Sequence, residues 1–156
     1  KFKYWQETLL GQQYTDELGE QLSRRFSKLV TEAVVQAPFL DGAYEFLKNH
    51  YYSFPLFVAS GTPESELREI VKRRNLTRFF HGVYGSPSTK KQILEFILME
   101  NNWSPNRLLM VGDTLSDWEG AKEANVCFVG IVREKEITGL ESDQEIQNLN
   151  ELSRLI

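Results

Sequence analysis

Hydrophobic positions along the chain change period once, near Pro38. From Thr15 onward Leu18, Leu22, Phe26, Leu29, Val30, Ala33 and Val34 recur at three- and four-residue spacing. This predicts one long amphipathic helix with an apolar stripe, Thr15 as its N-cap, and Asp16 and Glu17 in its first turn. Tyr4, Trp5, Leu9 and Leu10 repeat a similar spacing before it. They predict a shorter helix that ends near Gly11 and packs against the long one.

Beyond Pro38 short apolar runs alternate with helical patterns. A helix is expected from Gly42 to about Asn49, with Tyr44, Phe46 and Leu47 inward. The run Phe54 to Ala59 reads as a strand ending in Ser60 and Gly61. Thr62 then stands as N-cap of a helix with Pro63 at its first position and Leu67, Ile70 and Val71 as its buried stripe. A brief segment from Phe79 to Tyr84 leads into a GSPST turn, and a helix follows with Ile93, Leu94, Ile97 and Leu98 on one face. Arg107 to Val111 is a second apolar strand, and Ser116 with Glu119 reads as the capping box of a helix beginning at Asp117. Val126 to Val132 is a third, followed by a polar loop and a last helix around Leu149, Leu152, Leu155 and Ile156. Short buried strands alternating with helices predict an α/β fold, a doubly wound and mainly parallel sheet with right-handed crossovers.

Composition narrows the class. The chain has 156 residues, 41% of them hydrophobic and 26% charged, an ordinary globular mix that excludes disordered, collagen-like and coiled-coil chains. A net charge of −4 gives no basic field, so nucleic acid is not an expected partner. No apolar run approaches the roughly 20 residues that cross a bilayer, so no membrane partner is expected. The single cysteine, Cys127, cannot form an internal disulfide and lies in an apolar run that suits a small buried residue. A reducing, cytoplasmic setting follows. The chain opens at Lys1 instead of Met, with neither a secretory nor a transit signature, and reads as a fragment.

In open parallel sheets ligands bind at the carboxyl ends of the strands. The polar residues there are Ser60, Gly61 and Thr62 after the first strand, Lys90 after the GSPST turn, and Asp113 and Asp117 after the next strand. Asp113 can offer an oxygen to a hard cation such as Mg²⁺, and Asp117 lies four residues on. Two carboxylates near a phosphate need a divalent ion and a fixed ammonium, and Lys90 is the candidate ammonium. The Ser60 hydroxyl and the N–H groups of Gly61 and Thr62 can face phosphoryl oxygens. Each residue alone has a plainer reading as a turn former or a first-turn acid; their joint order and spacing carries the weight. His50 and His81 lack ligand spacing.

The strings FVASGTP, GSPSTKKQIL and VGDTLSDWEGAKEAN resemble the second, third and fourth motifs of the haloacid dehalogenase-like hydrolases, phosphoglycolate phosphatase-like branch. The resemblance runs from about Pro38 to Ile156. It implies a Rossmann-like core over residues 38–156 and, over residues 1–37, part of a helical cap. It further implies that Ser60 bonds the phosphoryl group, Lys90 neutralises it, Asp113 ligates Mg²⁺, and Asp117 supports the metal or the lysine. Lys90 is preferred over Lys91 because it aligns with the family position.

The family's first motif, DxDx[TV], is absent from these residues. Asp41 in LDGA follows the cap segment, lacks the paired aspartate and is not a substitute. The implied reaction is Mg²⁺-dependent hydrolysis of a small phosphorylated metabolite through an aspartyl-phosphate, with the nucleophile outside these residues. The strand bearing it is expected between those leading to Ser60 and Asp113. A non-catalytic binding or regulatory module of the same fold is the alternative.

Overall fold

The structure is a computed structural model and describes residues 2–132 and 144–156. It forms two compact units, Lys1–Pro38 and Phe39–Ile156.

In the first unit α1 (Phe2–Tyr4) continues as a wide π-helical segment (Trp5–Leu9), and α2 spans Asp16–Gln36. Thr15 caps α2 by accepting the Leu18 N–H at 3.1 Å. The Phe2 ring meets Phe26 edge-on at 5.8 Å and ties the two helices together. The apolar stripe of α2 is largely exposed: Phe26 is 53% and Leu29 68% exposed, and among the described residues of α2 only Gly19, against the Tyr14 ring, is buried. One short helix supplies too little surface to cover six turns.

The second unit runs α3 (Ala43–His50), β1 (Phe57–Pro63), α4 (Glu64–Arg73), β2 (Gly82–Ser86), α5 (Lys90–Asn101), β3 (Leu109–Gly112), α6 (Leu115–Glu123), β4 (Cys127–Ile131), β5 (Gln144–Ile146) and α7 (Leu149–Leu152). Every pairing is parallel. Among the described residues the strands form two sheets, β1–β2 and β3–β4–β5, so β1 and β3 each pair on one side only. Apolar packing is likewise divided. Leu67, Val71, Leu76, Phe79 and Val83 pack beside β2; Leu94, Leu98, Met110, Ala121 and Phe128 pack α5 and α6 onto β3 and β4; Phe46, Val129, Ile131, Ile146 and Leu152 close the other face.

Three crossover helices end alike. Asn75, Asn102 and Asn125 adopt positive φ of 57°, 53° and 55° after α4, α5 and α6. The next residue in each case donates its N–H five residues back, Leu76 to Val71, Trp103 to Leu98 and Val126 to Ala121. These are Schellman motifs, in which a left-handed residue satisfies the last carbonyls of the helix and turns the chain toward the next strand.

Several local expectations are corrected. β1 begins at Phe57, not Phe54, and extends through Pro63, because Pro63 pairs with Ser86; α4 therefore starts at Glu64 with Pro63, not Thr62, at the cap position. The cap of α6 is Thr114, not Ser116, and Asp117 closes its capping box in place of Glu119. Cys127 is exposed, as the first residue of β4 precedes the buried run. The last helix stops at Leu152, leaving Leu155 and Ile156 exposed. Strand β5 was not legible as such, since Ile146 is its only apolar residue. The polar loop expected after Val132 lies largely outside the described residues. No described helix is long and apolar enough to cross a membrane.

Candidate functional site

The site is built where β1 leaves its pairing with β2 after Ala59 and at the carboxyl end of β3, and one lysine joins the two. Thr89 opens α5 with a reciprocal cap: its hydroxyl accepts from Gln92 N–H at 3.2 Å, and the Gln92 side chain accepts the Thr89 N–H at 2.9 Å. This fixes Lys90 at the first position of the helix. Its side chain runs back to the sheets, where Nζ donates to the Ala59 carbonyl at 2.6 Å and lies 2.7 Å from Oδ1 of Asp117.

Asp117 is the one buried charged residue among those described, with 5% of its surface exposed. A buried carboxylate is tolerated only when paired and hydrogen-bonded. Among the described residues Oδ1 has the Lys90 ammonium as its partner. Oδ2 accepts the Thr114 N–H at 3.2 Å and the Thr114 hydroxyl at 2.7 Å. The same carboxylate thus closes the N-terminus of α6 and holds the lysine.

Gly120 makes the approach of α5 and α6 feasible, because a β-carbon there would collide with Cβ of Lys90. Neither Thr114 nor Gly120 was singled out from sequence. The signal for Gly120 was present, since an isolated glycine inside a helical pattern marks a close contact or a cap.

Ser60 follows Ala59 directly. Its hydroxyl donates to Thr62 Oγ1 and accepts the Thr62 N–H, both at 3.2 Å. The Thr62 amide is therefore already bonded within the loop, and with α4 starting at Glu64 the amides of Gly61 and Thr62 belong to the strand end instead of a helix N-terminus. Gly61 is exposed. Asp113 follows Gly112, the last residue of β3, and is exposed. Lys91 points elsewhere, at 3.9 Å from Glu95 on the surface of α5. The structure thus brings Lys90, Asp117 and the Ala59–Ser60 strand end into one place, with Asp113 at the end of β3.

Asp113 fits one oxygen position of a Mg²⁺ shell. Both oxygens of Asp117 are engaged by Lys90 and Thr114, and among the described residues no group of three or more His, Cys, Asp or Glu could hold a metal ion. These residues supply part of a magnesium site at most.

A family model for haloacid dehalogenase-like hydrolases matches residues 6–131. The chain belongs to this family. Solved structures of haloacid dehalogenase-like proteins share its fold. A hydrolase of that family from Streptococcus pneumoniae superposes with a TM-score of 0.76 at 19% identity, covering 97% of this chain and 76% of that one. A protein from Haemophilus somnus described as a predicted phosphoglycolate phosphatase gives 0.84 at 16% identity, covering 97% and 72%. A hydrolase of the same superfamily from Bacillus subtilis, bound to magnesium, gives 0.75 at 19% identity, covering 88% and 62%. No curated protein matches by sequence.

Proposed function

We propose that the parent protein is a Mg²⁺-dependent phosphomonoesterase acting on a small phosphorylated metabolite. The observation that carries this reading is the Lys90 ammonium, held between the Ala59 carbonyl, where β1 leaves its pairing with β2, and the Asp117 carboxylate after β3. An ammonium fixed by two acceptors costs no reorganisation when anionic charge arrives beside it, which is the condition for electrostatic catalysis on a phosphoryl group. The Ser60 hydroxyl can turn from Thr62 to a phosphoryl oxygen, and Asp117 holds the Lys90 ammonium in place. Asp113 is the residue that would hold Mg²⁺, which when bound supplies charge neutralisation at the phosphoryl oxygens.

The nucleophilic aspartate is supplied from outside these residues. Support for that comes from the sheet, in which β1 and β3 each keep one side unpaired among the described residues. A strand between them would place a carboxylate next to Lys90. The deciding experiment is an assay of the full-length protein on aryl phosphates with and without Mg²⁺. Phosphate release that requires Mg²⁺ and falls on Lys90→Ala and Asp113→Asn is expected. Metal-independent or absent turnover overturns the enzyme reading and favours a non-catalytic module of the same fold.

A further inference from the structure

The ladder between β1 and β2 is interrupted. β1 leaves it after Ala59, which pairs with Tyr84, and rejoins it at Pro63, opposite Ser86. The excursion consists of Ser60, Gly61 and Thr62. Its upstream end is fixed by the Ala59 pairing and by the bond from Lys90 to the Ala59 carbonyl. Its downstream end is fixed by a side chain. Glu64 Oε2 accepts the Gly85 N–H at 3.2 Å, so a carboxylate serves as acceptor where β1 has left the ladder. Oε1 accepts from Nε and Nη2 of Arg68, one turn along α4, at 3.1 and 2.9 Å. The carboxyl titrates below the usual glutamate range, through the Arg68 hydrogen bond first and the Gly85 N–H second.

Gly85 approaches closely enough that no larger residue fits. A β-carbon there would collide with the Thr62 carbonyl oxygen and lie 2.7 Å from Cα of Glu64, both backbone atoms that cannot swing aside. From Gly85 the chain needs only Ser86 to Thr89 to reach Lys90. One strand end therefore carries both the attachment of the loop and the ammonium.

We propose that Glu64 and Gly85 form a clasp that sets the distance between the Ser60–Thr62 loop and Lys90, which makes Glu64 a positioning residue for the phosphoryl site. The kinetic part of this proposal rests on the phosphatase reading. Misplacement of a bound group by about 1 Å can cost on the order of 100-fold in rate, so the clasp acts on kcat.

The test uses the full-length protein with Mg²⁺ and an aryl phosphate. Glu64→Ala is expected to lower kcat by roughly 10- to 100-fold with KM changed less than about threefold. Glu64→Gln keeps an oxygen for the Gly85 N–H and is expected to recover most of kcat. Arg68→Ala removes only the exposed partner and should stay near wild type. Equal kcat losses in Glu64→Ala and Arg68→Ala, or no recovery in Glu64→Gln, would overturn the proposal. Amide hydrogen exchange gives a reading that needs no turnover: Gly61 and Thr62 should exchange faster in Glu64→Ala and not in Glu64→Gln. If wild-type protein releases no phosphate the phosphatase reading fails, while the exchange rates still decide the clasp, and unchanged exchange in Glu64→Ala refutes it.

Discussion

The Lys90 ammonium lies 2.7 Å from Oδ1 of Asp117, with 15% and 6% of the two side chains exposed. Removing one member of such a pair leaves the other charge buried without compensation, typically about 3–5 kcal/mol of destabilisation. Lys90→Ala and Asp117→Ala should each lose stability of that order in urea unfolding. The double variant Lys90→Met with Asp117→Leu should lose less than either, and a loss equal to the sum of the singles would deny the coupling.

Gly120 predicts a second stability effect. Gly120→Ala puts a methyl group against Cβ of Lys90, which should cost about 1–3 kcal/mol through overpacking even though alanine is the better helix former. A stabilised Gly120→Ala protein, read by thermal unfolding, would show that α5 and α6 can separate freely.

The three left-handed asparagines make a graded set. Asn75→Ala, Asn102→Ala and Asn125→Ala should each destabilise by about 1 kcal/mol, because alanine gains nothing in the left-handed region to offset its β-carbon clash. The corresponding glycine variants should match or exceed wild type. A midpoint for the alanine variants indistinguishable from glycine would remove the Schellman motifs from the account of how these helices end.

Glu64 gives the pH dependence. Its carboxyl titrates lower in the folded protein than in the unfolded chain, so acidification protonates the unfolded state first. The stabilisation it provides is complete above the ordinary glutamate range and is lost as pH falls through the lowered folded value. Thermal midpoints of wild type and Glu64→Gln should therefore differ by a constant amount near neutrality and converge only at acid pH. Convergence already near pH 6 would contradict the lowered titration.

What could be read from sequence was what local pattern and motif order encode. The parallel α/β alternation was legible because the strands are short apolar runs and the helices carry their own periodicity. The start of α6 was misread because two capping patterns lie two residues apart, Thr114 with Asp117 and Ser116 with Glu119. The choice between them is tertiary: Asp117 closes the box with one oxygen and meets Lys90 with the other. The clasp was invisible for a related reason, since Glu64 reads locally as a first-turn acid, and only the excursion of β1 brings Gly85 to it. The exposed stripe of α2 shows the reverse case, where periodicity correctly marks a helix without saying what covers it.

The division of the strands between β1 and β3 bears on how the molecule melts. Two hydrogen-bonded sheets that share no strand among the described residues can open separately, so each can behave as its own cooperative unit in native-state exchange. What ties them is side-chain packing around α5 and the reach of Lys90 from the Ala59 carbonyl to Asp117. Anything that pairs with both open edges at once would merge the ladders. Its signature would be a steeper denaturant dependence of the whole transition, from a single larger surface exposed in one step, and not just a later midpoint.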